Sequence, residues 1–141
     1  MPVRKASAVW HGDLIKGRGE VKTESGAVNN PYAFATRFEN TPGTNPEELL
    51  GAAHAACYAM ALSFVLGNNG FAAQKVSCDA AVSIDKVGDG FKITKIKLTC
   101  QATVPGITPE KFAEIATAVK SGCPVSQALS AVPMELDAKL V

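Results

Sequence analysis

The sequence predicts an α+β fold. Three observations carry that prediction. Apolar residues alternate with polar ones over Val76–Ile84 and again over Ile96–Val104, the period of half-buried strands. Between the chain start and these strands, Leu49–Leu66 is almost unbroken apolar sequence of helical length. Before it, short runs are punctuated by glycine and asparagine, as in small strands joined by turns.

Taken in order, Ser7–His11 reads as a strand, Gly12–Gly19 as a turn and Glu20–Glu24 as a second strand closed by Ser25-Gly26. Tyr32–Phe38 reads as a third, weaker strand. Asn45 then stands where a helix cap belongs, Pro46 suits the first helical position, and Glu48 completes a capping-box spacing. The helix is expected to stop near Leu66, before Gly67-Asn68-Asn69-Gly70. Val87-Gly88-Asp89-Gly90 should turn the two alternating strands into an antiparallel hairpin. Thr108-Pro109-Glu110 opens a helix ending near Gly122, and Cys123-Pro124 opens another running to about Leu129. Val132–Leu140 alternates as a last strand.

The 141 residues fit one domain, 1–141, with no repeat or linker. Hydrophobic residues make up 47%, enough for a core and too many for a disordered chain. A net charge of +1 is a poor electrostatic footprint for nucleic acid, so no nucleic-acid partner is expected. Met1–His11 lacks the apolar run of a secretory signal. The 49–66 stretch is alanine-rich and reads as a buried core helix rather than a membrane span. A cytoplasmic location follows as the expectation. The helix is apolar all round, so it must be covered on every side. A symmetric dimer burying it against its twin is the economical solution.

Four cysteines stand at 57, 78, 100 and 123, with no C-x-x-C pair, so no metal site is expected. Cys78 and Cys100 fall on the apolar parity of their strands and read as inert core fillers. Cys123 sits at a helix N-cap, where free backbone N–H groups favour a thiolate. Cys57 lies mid-helix, with His54 three residues earlier on the same face. Glu47 lies about 80° from Cys57 around the helix but about 15 Å away along it, so a long basic side chain would have to bridge them. These local arguments rank Cys123 ahead of Cys57 for reactivity.

The segment Thr44–Cys57, ending His54-Ala55-Ala56-Cys57, resembles the helix signature of the osmotically inducible protein C family, relatives of the organic hydroperoxide resistance proteins. Gly122-Cys123-Pro124-Val125-Ser126 resembles its second motif, and Trp10-His11-Gly12-Asp13 and Pro105-Gly106-Ile107 extend the match along the chain. The resemblance implies antiparallel sheets wrapped around two central helices in an intertwined homodimer. It also implies a thiol peroxidase and reverses the ranking of the cysteines. Cys57 attacks the O–O bond and becomes a sulfenic acid, Cys123 condenses with it to a disulfide, and an external thiol, dihydrolipoyl by analogy, restores both. Organic hydroperoxides are the implied substrates, in oxidative or osmotic stress defence, with no cofactor. Glu47 matches the family's glutamate, and Arg37 is favoured over Arg18 as its arginine. Two rival functions stand beside the enzyme: a redox sensor and a carrier of hydrophobic ligands.

Overall fold

Short strands at the start of the chain pair in the order in which they occur. β1 (Ala6–His11), β2 (Arg18–Thr23) and β3 (Asn29–Tyr32) form an antiparallel sheet in the order β1-β2-β3. Gly19, in β2, lies beneath Trp10 and Tyr32, whose ring centroids are 5.4 Å apart. A Cβ there would stand 2.5 Å from the Tyr32 ring, so only glycine fits.

The structure is a computed structural model describing residues 1–141, in two units, Met1–Leu49 and Leu50–Val141. The expected third strand over Tyr32–Phe38 is only partly a strand. It ends at Tyr32, and Phe34–Phe38 forms a short helix, α1. The Thr36 hydroxyl accepts the Ala33 N–H at 3.0 Å and turns the chain. Phe34 and Phe38, one helical turn apart, then stack with centroids 5.0 Å apart.

Helix α2 (Pro46–Asn68) begins as its caps predict: the Asn45 side chain accepts the Glu48 N–H at 2.8 Å. It runs two residues beyond the expected end. By length and composition alone it is apolar enough to cross a membrane. Yet Tyr58, Leu62 and Leu66 are fully buried at helical spacing, the pattern of a core helix. At Gly51 it packs on the strand carrying Ala80 and Val82, where a Cβ would make ordinary contact, 3.4 Å from the Ala80 carbonyl.

In the second unit, β4 (Lys75–Val87) and β5 (Gly90–Thr103) form the expected antiparallel hairpin. Gly88 supplies the positive φ of its two-residue turn. Helices α3 (Pro109–Gly122) and α4 (Pro124–Ala128) follow, and β6 (Met134–Leu140) pairs with β5 in parallel. The sheet is therefore mixed, in the order β4-β5-β6, rather than wholly antiparallel. A parallel return needs a long crossover, and the segment carrying α3 and α4 supplies it. The core gathers Tyr58, Leu62 and Leu66 of α2, Ile96, Leu98 and Cys100 of β5, and Phe112, Ile115 and Val119 of α3. Tyr58 satisfies its hydroxyl by donating to the Ala116 carbonyl at 2.9 Å.

Candidate active site

Cys123 is placed by two helix ends at once. Its N–H donates to the Val119 carbonyl at 3.1 Å and closes α3, while its sulfur accepts the Ser126 N–H at 3.3 Å and caps α4. Pro124 then takes the first position of α4, as the sequence predicts. The sulfur so fixed is buried. It neighbours the half-buried thiol of Cys57 closely enough to shift its pKa, although 66 residues separate the two.

Burial pushes the Cys57 thiol above its ordinary pKa. The Val125 backbone N–H pulls the other way, and the neighbouring Cys123 thiol adds to the rise. Both cysteines border an open apolar groove of ≈ 640 Å³ walled by Met60, Phe64, Val65, Val119 and Pro124.

Arg37 and Glu47 meet in the first unit. Arg37 Nε donates to both carboxylate oxygens at 3.2 Å, and Nη2 donates to Oε1 at 2.9 Å. Glu47 is buried in the first turn of α2, where a helix N-terminus favours a negative charge. The guanidinium also stacks 5.1 Å from the centre of the Phe38 ring. Arg18 stands exposed in β2 opposite His11. The four predicted site residues thus fall into two pairs, Cys57 with Cys123 and Arg37 with Glu47.

His54 does share a face with Cys57, but its hydrogen bond goes elsewhere. The ring is fully buried, and Nε2 lies 2.7 Å from the hydroxyl of Ser126. That hydroxyl also accepts the Cys123 S–H at 3.1 Å. Nδ1 of His54 is buried with no partner, and burial lowers the pKa of the ring. Ser126 is the residue that sequence reasoning passed over. The signal was present in its position three residues after a cap, where a side chain returns to the capping residue.

Cys78 and Cys100 face the core, as their parity predicts, and they stand directly opposite each other across β4 and β5. The two neighbouring thiols displace each other: Cys78 and burial push the Cys100 thiol up, while Cys100 holds the Cys78 thiol below its ordinary value. No three His, Cys, Asp or Glu side chains converge to hold a metal ion.

The chain is 54% identical over 129 residues to "Peroxiredoxin OsmC" of Escherichia coli, a match covering 91% of this chain and 90% of that protein. Among solved structures it superposes on the organic hydroperoxide resistance protein OhrB of Bacillus subtilis with a TM-score of 0.67, at 25% identity over 97% of this chain and 98% of the other. An OsmC-like protein from Mycoplasma pneumoniae shares the fold with a TM-score of 0.75, at 16% identity over 99% of this chain and 98% of the other. The sequence model of OsmC-like proteins matches residues 38–137, a span that takes in both cysteine motifs. With that match and a relative identical at more than half of the aligned positions, the chain belongs to the OsmC-like protein family.

Proposed function

We propose that the protein is a thiol-dependent peroxidase that reduces organic hydroperoxides to alcohols. The observation that carries this reading is that Cys57 and Cys123, far apart in sequence, line the same apolar groove. The naming of the Escherichia coli relative as a peroxiredoxin supports it, as does the naming of the Bacillus subtilis one for organic hydroperoxide resistance.

In this reading Cys57 attacks the terminal peroxide oxygen as a thiolate, the O–O bond breaks, and the alkoxide leaves with a proton as alcohol. Cys57 is then a sulfenic acid. Cys123 attacks its sulfur, the S–O bond breaks, and water leaves behind a Cys57–Cys123 disulfide. Two equivalents of external thiol, a dihydrolipoyl group being the candidate, return both cysteines to thiols. Within its own unit burial disfavours the Cys57 thiolate, so a cation is needed to stabilise it. Arg37 is assigned that task, with Glu47 fixing its fork. The apolar wall of Val65, Val119 and Pro124 suits an alkyl chain better than hydrogen peroxide.

The working unit in this proposal is a homodimer, with residues 1–141 of each chain acting as one domain. Met60 is 76% exposed and Phe64 68% exposed on α2, large apolar groups that a second copy would cover. Sedimentation at micromolar concentration tests this, and a monomer would overturn it. Four free thiols suit a reducing compartment such as the cytoplasm.

The test of the chemistry is peptide mapping by mass spectrometry after one equivalent of cumene hydroperoxide. The expected product is a Cys57–Cys123 disulfide with Cys78 and Cys100 still thiols. Four untouched thiols would end the peroxidase reading and favour a carrier of apolar ligands in the same groove.

A further inference from the structure

Three side chains of the second unit form a continuous hydrogen-bonded chain behind the second cysteine. The Cys123 S–H donates to Ser126 Oγ at 3.1 Å, and Ser126 Oγ lies 2.7 Å from His54 Nε2. His54 is fully buried, and Cys123 and Ser126 are exposed by 1% and 2%. The Ser126 N–H holds the same sulfur at 3.3 Å. A buried imidazole with an unpartnered Nδ1 is an expensive way to fill a core, and an apolar side chain would do that alone.

We propose that Cys123, Ser126 and His54 form a proton relay that activates Cys123 to resolve the Cys57 sulfenic acid. The inference rests on the peroxidase reading above and assigns a role to two residues which that reading leaves unused. In the resting state the thiol donates to the serine oxygen, and the serine hydroxyl donates to Nε2. When Cys123 attacks, its proton passes to Ser126 Oγ as the hydroxyl's own proton passes to Nε2. The Cys123 electron pair forms the S–S bond, the S–O bond of Cys57 breaks, and hydroxide leaves. Hydroxide takes a proton from solvent and the imidazolium returns one, so the sum is sulfenic acid plus thiol giving disulfide plus water.

The same spacings serve both states. With the proton on His54, Nε2–H donates to Ser126, and both the hydroxyl and the N–H of Ser126 donate to the thiolate. Burial lowers the His54 pKa, which keeps the ring neutral and able to accept at pH 7. No charged group contributes to that shift. The titratable groups along the relay are Cys123 itself and, beside it, Cys57. His54 acts through Ser126, the partner of its hydrogen bond.

The experiment is a single turnover with one equivalent of cumene hydroperoxide, quenched over time. Cys57 sulfenic acid and the disulfide are followed separately by mass spectrometry, between pH 5 and 8. His54→Gln keeps a hydrogen-bonding group for Ser126 but cannot take the proton, and Ser126→Ala breaks the chain while keeping the base. Each is expected to slow the conversion of sulfenic acid to disulfide by about 100-fold, the usual range for loss of a general base. Each is also expected to flatten its rise with pH. Ser126→Thr, which restores a hydroxyl, is expected to recover most of the rate. Should His54→Gln fail to fold, Ser126→Ala and Ser126→Thr decide the matter. Conversion within about twofold of wild type in Ser126→Ala, with the pH profile unchanged, would overturn the relay. Absence of any oxidised Cys57 in the wild type would instead overturn the peroxidase reading, a distinct result.

Discussion

Arg37 grips Glu47 as a fork: Nε is shared between the two carboxylate oxygens, and Nη2 closes on Oε1 at 2.9 Å. The carboxylate is nearly buried while the guanidinium keeps about a third of its surface in water. The pair is therefore oriented by a fixed anion rather than by a mobile surface contact. Glu47→Gln keeps the shape and removes the charge, and it should cost about 1.5–3 kcal/mol in urea unfolding, as for a hydrogen bond to a charged group. Arg37→Met should slow the oxidation of Cys57 at least tenfold in stopped-flow assays, by about the 1.4 kcal/mol or more that one well-placed charge supplies. Arg18→Met should have no such effect. The reverse outcome would move the activating role to β2.

Stability should depend on pH through His54. The folded ring has its pKa below the ordinary 6.5 because burial disfavours the cation. Between the two values the unfolded chain binds a proton that the folded chain refuses, so stability rises with pH across that window. The full contribution is present above pH 6.5 and is lost progressively on acidification below it. Urea midpoints measured from pH 7.5 to 5 should fall in the wild type and fall less in His54→Gln. Equal slopes for the two proteins would show that the ring titrates normally.

Cys78 and Cys100 provide a check on the strand register. The neighbouring thiols displace each other in opposite directions, Cys78 down and Cys100 up. Limiting iodoacetamide at pH 8 should therefore label Cys78 before Cys100, a sequence that mass spectrometry reads directly. Alanine at Cys100, a residue 1% exposed, should cost about 1–2 kcal/mol as a small core truncation while leaving peroxide turnover unchanged. A large loss of turnover in folded protein would mean that the pair is not a core filler.

The parts of the fold legible in the sequence are those that local chemistry decides. Asn45 and Thr108 cap α2 and α3 with their own side chains, and Cys123 does the same for α4. The Val87–Gly90 turn fixes the hairpin because its geometry admits little else. Tyr32–Phe38 misleads because aromatic residues favour strands, and one threonine hydroxyl overrides that preference. The alternation of Met134–Leu140 reveals which residues face the core but carries no information about its partner strand or direction. The ranking of the cysteines and the choice of Arg37 rest on motif likeness, since the helix-cap argument alone ranks Cys123 first, whereas helix geometry does point to Glu47 and to a bridging basic side chain. The bond from His54 to Ser126 spans 72 residues, beyond the reach of any local pattern.

Because Cys123 caps α4 with the sulfur that the proposed chemistry consumes, the redox state of the site is also written into the backbone. A disulfide sulfur has neither the proton nor the charge of the reduced form, and it is the weaker acceptor for the Ser126 amide. Oxidation then loosens the first turn of a helix only five residues long. Hydrogen exchange at the Ser126 amide should quicken when the disulfide forms and slow again when thiol is added, a reversible gauge that needs no reactive label.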